Sequence, residues 1–127
     1  MSRSSLMTNI PQKNTISIVN IEDNISSKGY KARPAYILKT NGIVIQCFQI
    51  TPKYETKPNH IKPYLMEILD WRDANLHEDS WINTFDIYNL SVEDVKVKFV
   101  GNLSERDTER LVSLLREKKK IIRNPNE

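Results

Sequence analysis

The chain has 127 residues, 19 basic and 16 acidic side chains, three glycines and one cysteine, which suits a single domain rather than two independent cores. A hydrophobic share of 39% beside 28% charged residues excludes a disordered composition, and no apolar run approaches the roughly 20 residues of a membrane helix. Cys47 has no second cysteine to pair with, so an intramolecular disulfide is excluded, and a reducing cytoplasmic setting is expected.

Residues 1–13 have no sustained period and read as a flexible arm; Met1 to Thr8 lacks the apolar stretch of a secretory signal. A single domain is expected over residues 14–123. Thr15 to Ile21 is the first strand candidate, with Ile16 and Ile18 alternating with polar neighbours, and it runs into a polar loop through Gly29. Pro34 to Lys39 and Ile43 to Ile50 flank Asn41-Gly42. That arrangement predicts a hairpin on a type I′ turn, because both turn residues tolerate positive φ. Pro52 cannot donate a ladder hydrogen bond and ends the second strand near Thr51.

Residues 52–63 carry Pro52, Pro58 and Pro63 and form an irregular loop by composition. Tyr64 to Leu69 fits a strand or a helix equally. Asp70 to Leu76 reads as a short helical turn, Ser80 to Thr84 as a short strand, and Asp86 to Ser91 as a turn. Val95 to Val100 alternates, with Lys96 and Lys98 outward, and Gly101 ends it. Ser104, with Asp107 three positions on, predicts a helix over about 104–120, whose Leu111, Leu114 and Leu115 form an apolar stripe. Lys118-Lys119-Lys120 then complements the negative end of the helix dipole in preference to forming an RNA-binding tract. Many short strands and one terminal helix predict a mainly β fold, a small antiparallel barrel closed by that helix.

Charge is unevenly divided. Residues 1–63 hold nine Lys/Arg against three Asp/Glu, a balance of +6; residues 64–127 hold ten against thirteen, a balance of −3. A basic half attracts phosphates, although solvated surface lysines produce the same count. Three isolated glycines form no phosphate loop, and one cysteine with His60 and His77 supplies no zinc-ligand spacing. Cys47 sits in an apolar strand as core filler. Asp70, Asp73, Glu78 and Asp79 are acidic enough for Mg²⁺, but surface charge around a short helix accounts for them. A basic group at strand ends remains: Lys28, Lys31 and Arg33 before the hairpin, Thr51 and Lys53 after it. Pairing about Asn41-Gly42 without a bulge sets Arg33 roughly opposite Thr51. A guanidinium and a hydroxyl so placed can bind a phosphate and stabilise developing charge; a surface arginine and a strand-ending threonine have the same pattern.

At these residues the chain resembles the MazF/PemK-like family, the toxin ribonucleases of bacterial toxin–antitoxin pairs. Lys31 to Leu38 is similar to the family's Arg-Pro-apolar strand, and Val44 to Pro52 to its next strand with a terminal threonine. Asp70 to Leu76 followed by Ser80-Trp81-Ile82, and Val100 to Ser104 with Asp107, resemble two later segments, so the likeness spans about residues 16–116. Two positions depart from the usual pattern: Asn83-Thr84 stands where many relatives carry a basic residue, and Asn75 where many carry glycine.

The resemblance implies an SH3-like barrel with a C-terminal helix, usually a homodimer, in the cytoplasm and opposed by a cognate antitoxin protein. It implies metal-independent, cofactor-free cleavage of single-stranded RNA by the ribose 2′-hydroxyl, giving a 2′,3′-cyclic phosphate and a 5′-hydroxyl. By carry-over Arg33 is the catalytic arginine and Thr51 the catalytic threonine. Lys28, Lys31 and Lys53 would guide RNA, with His60 a loop contact. A non-catalytic RNA- or protein-binding barrel, or a purely structural dimerisation domain, fits the same residues without the chemistry.

Overall fold

A computed structural model describes residues 13–22, 30–93 and 97–123. Residues 1–12, and with them most of the expected arm, lie outside the described residues, as does Lys28; Lys31 is described in its backbone only. The strands are β1 (Thr15–Glu22), β2 (Tyr30–Thr40), β3 (Val44–Thr51), β4 (Leu65–Glu67), β5 (Trp81–Asn83), β6 (Tyr88–Ser91) and β7 (Val97–Asn102), followed by helix α1 (Glu105–Arg123). All pairings are antiparallel. The fold is therefore mainly β with a C-terminal helix, as expected. The ladder runs β4-β5-β3-β2-β1-β7, with β6 also on β3, and among the described residues it does not close into a ring.

The strand β3 organises the molecule. Its first half, Val44 to Cys47, pairs with β6, while Ile50 and Thr51 pair with β5. The strand is apolar on both faces because both are covered. One face carries Ile16, Tyr36, Phe48, Ile50 and Ile82, packed beneath Leu111 of α1. The other carries Val19, Ala35, Ile37, Ile45 and Cys47, covered by Tyr88, Leu90, Val92 and Val97. Each fully buried aliphatic side chain contributes about 1.5–3 kcal/mol. Cys47 is wholly buried in this second core, and burial pushes its thiol up to about 12; it packs as a small apolar residue.

The hairpin forms one residue later than expected. Asn41 N–H donates to Val44 O at 3.3 Å, leaving Gly42 and Ile43 as the loop. Only Gly42 has positive φ, at 86°, the sign pattern of a type II′ rather than a type I′ turn. The Asn41 carboxamide accepts from the N–H groups of Ile43 and Val44 at 2.9 and 2.8 Å, an Asx turn that occupies Asn41 before the loop proper. The register then steps between Ile37 and Lys39, a bulge at Leu38.

Asp86 to Ser91, expected as a turn, contains the strand β6. Tyr88 and Leu90 supply a period-2 apolar face too short to recognise, and pairing with β3 makes it a strand. Gly101 lies inside β7 rather than ending it. Phe99, expected inward, is 60% exposed on this edge strand, and a register shift beside Ile16 breaks the alternation. Residues 62–67 resolve as a 3₁₀ turn leading into β4. Residues 71–76 form a single turn closed by a Schellman pair: Leu76 N–H to Trp71 O and Asn75 N–H to Arg72 O, both 3.0 Å, with Asn75 at φ 65°. That left-handed residue explains why glycine is also at home at this position.

Helix α1 starts as its sequence predicts. Ser104 Oγ accepts from Asp107 N–H at 3.1 Å, and Ser104 O accepts from Thr108 N–H at 2.8 Å. The fully buried Asp107 carboxylate accepts from the backbone N–H groups of Leu69 and Asp70, at 3.1 and 2.8 Å. The helix start is thereby fastened to the end of β4.

Candidate functional site at the split between β2 and β3

Residues paired across an antiparallel ladder point to the same side of the sheet. Arg33 pairs with Val19, a residue of the second core, so Arg33 faces that side. Tyr88 pairs with Cys47 and faces it too. Alternation along β3 adds Gln49 and Thr51 to this side. β6 covers β3 only as far as the Cys47–Tyr88 pair. Past that pair, the same face continues as Gln49, Thr51 and Arg33, so an apolar core passes into a polar surface.

Arg33 is half-buried and has no ion pair or hydrogen bond among the described residues. Its guanidinium acts on the Tyr88 phenol. Burial, with Asp86 adding to it, pushes Tyr88 above the usual tyrosine range, while Arg33 pulls it back. The Tyr88 hydroxyl donates to Gln49 Oε1 at 3.4 Å. A guanidinium with no partner among the described residues thus stands near a phenol and a carboxamide. Such a set can hold an oxyanion or a phosphate.

The β2–β3 pairing ends at Ala35–Gln49. Pro34 has no N–H to continue it, and β3 goes on to pair Thr51 with Trp81 of β5. Carried two residues further, the register sets Arg33 level with Thr51. The later turn and the Leu38 bulge shift this register in opposite senses, which keeps the two residues at one level. Thr51 is buried at 5% exposure, and its hydroxyl donates to Pro52 O at 3.1 Å. Arg33 and Thr51 share a face, with no hydrogen bond between their side chains. On the opposite face the split leaves a cavity of about 280 Å³ between Pro34 and Pro52, floored by Ile18, Ile50 and Leu76.

The remaining expected residues are more scattered. Lys53 is exposed and left-handed at φ 61°, its carbonyl receiving Thr56 N–H at 3.1 Å and Thr56 Oγ1 at 2.9 Å. His60 is exposed and lies edge-on to Phe85, ring centres 5.9 Å apart. Lys31 pairs in backbone with Ile21. Asp70, considered above for Mg²⁺, is engaged at the helix start, where it accepts from Ser104 Oγ at 2.6 Å and from Arg106 at 2.5 and 3.1 Å. Lys118, read from sequence as a dipole partner, reaches across to Tyr64 and donates to Thr84 O.

Sequence reasoning missed Gln49 and Tyr88 as companions of Arg33. The Tyr88–Leu90 alternation was the available signal, but only pairing with β3 brings the phenol to the site. These observations define an antiparallel β fold with an arginine, unpaired among the described residues, at a strand split. A scan against protein-family models and a search of curated proteins each return no match.

Proposed function

We propose that the chain is a metal-independent endoribonuclease of the MazF/PemK type acting on single-stranded RNA. The observation carrying this reading is the Arg33 guanidinium, without a hydrogen-bond or ion-pair partner among the described residues, on one face with Tyr88 and Gln49 and level with Thr51. In the reaction the ribose 2′-oxygen bonds to the adjacent phosphorus, and the P–O5′ bond breaks. The 2′-hydroxyl proton leaves, a proton reaches the departing 5′-oxygen, and a 2′,3′-cyclic phosphate and a 5′-hydroxyl remain. The nucleophile belongs to the substrate, so positioning and charge stabilisation are the protein's contribution. Arg33 would hold the phosphate bidentately and assist proton transfer. Thr51 would stabilise the phosphorane, giving up its bond to the Pro52 carbonyl to do so. The same reading includes a homodimer, a cognate antitoxin and a cytoplasmic location.

The burial of Thr51 favours a second reading, in which the face binds RNA without cutting it. Incubation with a long single-stranded RNA in excess chelator separates the two. The enzyme reading expects fragments ending in cyclic phosphate and 5′-hydroxyl, with cleavage lost in Arg33→Ala while the circular dichroism spectrum is kept. Intact RNA at high protein concentration, or undiminished cleavage by Arg33→Ala, removes it. Salt-sensitive binding without products supports the second reading.

A further inference from the structure

Beyond the Arg33 face, five aromatic rings and several cations occupy the loop 52–64 and the segment it packs against. Tyr54 stacks on Trp81, ring centres 5.6 Å apart and planes 29° apart. Tyr64 and His60 meet Phe85 edge-on, at 5.1 and 5.9 Å. Lys62 Nζ stands 5.3 Å from the Tyr54 ring centre, and Lys118 Nζ 5.2 Å from that of Tyr64. The loop also carries Lys53, exposed, and Lys57, half-exposed. Glu55, Glu67 and Asp86 are the acidic groups on the same stretch, all exposed.

Packing the loop onto the sheet explains the rings that lie inward. Thr84, wholly buried, anchors that contact by donating its hydroxyl to Tyr64 O at 2.7 Å. It leaves Phe85 unexplained, since that ring is 40% exposed beside the exposed His60. Trp81 is the register partner of Thr51, so it lies on the side of β5 away from the core that holds Ile82. Phe85 follows four residues later, within about 14 Å along the chain. Phe85 and His60 are exposed, and Trp81 is half-exposed with one face against Tyr54. Aromatic rings so placed and interleaved with ammonium groups suit single-stranded nucleic acid, whose bases stack and whose phosphates are neutralised. A duplex keeps its base faces covered and offers such rings nothing to stack on.

We propose that Trp81, Phe85 and His60, flanked by Lys53, Lys57 and Lys62, form a stacking track that carries single-stranded RNA away from the Arg33 face. The proposal rests on the RNA reading above and adds a binding surface to it. The probe is a fluorescein-labelled, mixed-sequence 12-nucleotide RNA with 2′-O-methyl groups throughout, which lacks the nucleophile and cannot be cut. It is measured by anisotropy, single-stranded and annealed to its complement.

The single strand is expected to bind at least tenfold more tightly than the duplex. Phe85→Ala weakens it about tenfold, and Phe85→Tyr restores it to within about twofold. Combined Lys53→Ala and Lys57→Ala lowers the slope of log affinity against log salt by about one. Binding by Phe85→Ala within twofold of wild type, equal binding of duplex, or no binding of the probe by wild type overturns the track. Catalysis is scored separately on unmodified RNA. If wild type cuts that RNA while Phe85→Ala binds the probe normally, the track fails and the ribonuclease reading stands. If the probe binds through Phe85 and unmodified RNA stays whole, the track stands and the ribonuclease reading fails.

Discussion

Gly101 lies directly against Ala74: a Cβ at position 101 would stand 2.5 Å from the Ala74 carbonyl oxygen and 3.0 Å from its carbon. The contact is backbone on both sides, so no side chain can move aside. It presses β7 onto the 71–76 turn, where Asn75 Nδ2 also donates to Val100 O at 3.0 Å. Gly101→Ala is therefore expected to destabilise the fold by about 1–3 kcal/mol through overpacking. Thermal unfolding followed by calorimetry measures it, and an unchanged Tm would show that the strand shifts freely.

Asp107 serves two segments at once. Besides receiving the Leu69 and Asp70 N–H groups, it pairs with Arg110 at 2.8 Å, and Arg110 in turn donates to Glu67 O at 2.6 Å. Asp107→Ala strips partners from two backbone donors and a guanidinium together, an expected loss of about 2–4 kcal/mol. Ser104→Ala removes the cap on Asp107 N–H together with the hydroxyl's bond to the Asp70 carboxylate, and should cost less, about 1–2 kcal/mol. Guanidinium denaturation midpoints of the two variants check the ranking.

Asp70 sets an acid limit. Hydrogen bonds from Arg106 and then Ser104 hold its carboxyl below the usual aspartate range. A carboxyl lowered in the folded state binds fewer protons there than in the unfolded chain, so its contribution is complete above the ordinary aspartate range. It is lost as pH falls through the lowered folded value. Arg106→Ala should move the carboxyl resonance titration of Asp70 upward and flatten this acid dependence of the unfolding midpoint. An unmoved titration would mean that the Arg106 pair has no effect in solution.

Arg33 and Tyr88 are coupled by charge. Arg33 lowers a phenol that burial and Asp86 raise. Arg33→Ala should therefore shift Tyr88 ionisation to still higher pH, and Asp86→Asn should shift it downward. Nuclear magnetic resonance of ring-labelled tyrosine reads both directions independently of any activity. A Tyr88 titration unmoved by Arg33→Ala would separate the two residues and dissolve the candidate site.

Much was legible along the chain because the deciding interactions are local. The Ser104-x-x-Asp107 cap, the 3.6-period leucines of α1 and the strand-ending Pro52 act within a few residues of themselves. The class of fold, mainly β with a terminal helix, follows from such signals. Asn41-Gly42 correctly announced a hairpin but not its turn, since the Asn41 side chain caps Ile43 and Val44 and moves the loop onward by one. The Leu38 bulge left no mark in the residue pattern.

What the amino-acid order alone determined is the first strand, the hairpin, the last strand, the helix and a basic first half containing an arginine before a proline. Tertiary structure decided what that arginine meets. Tyr88 becomes Arg33's neighbour only because β6 pairs with the first half of β3, and Thr51 turns toward Trp81 because the second half pairs with β5. Strand pairing is a long-range choice, made by burying two apolar faces at once, and no window of local sequence contains both partners.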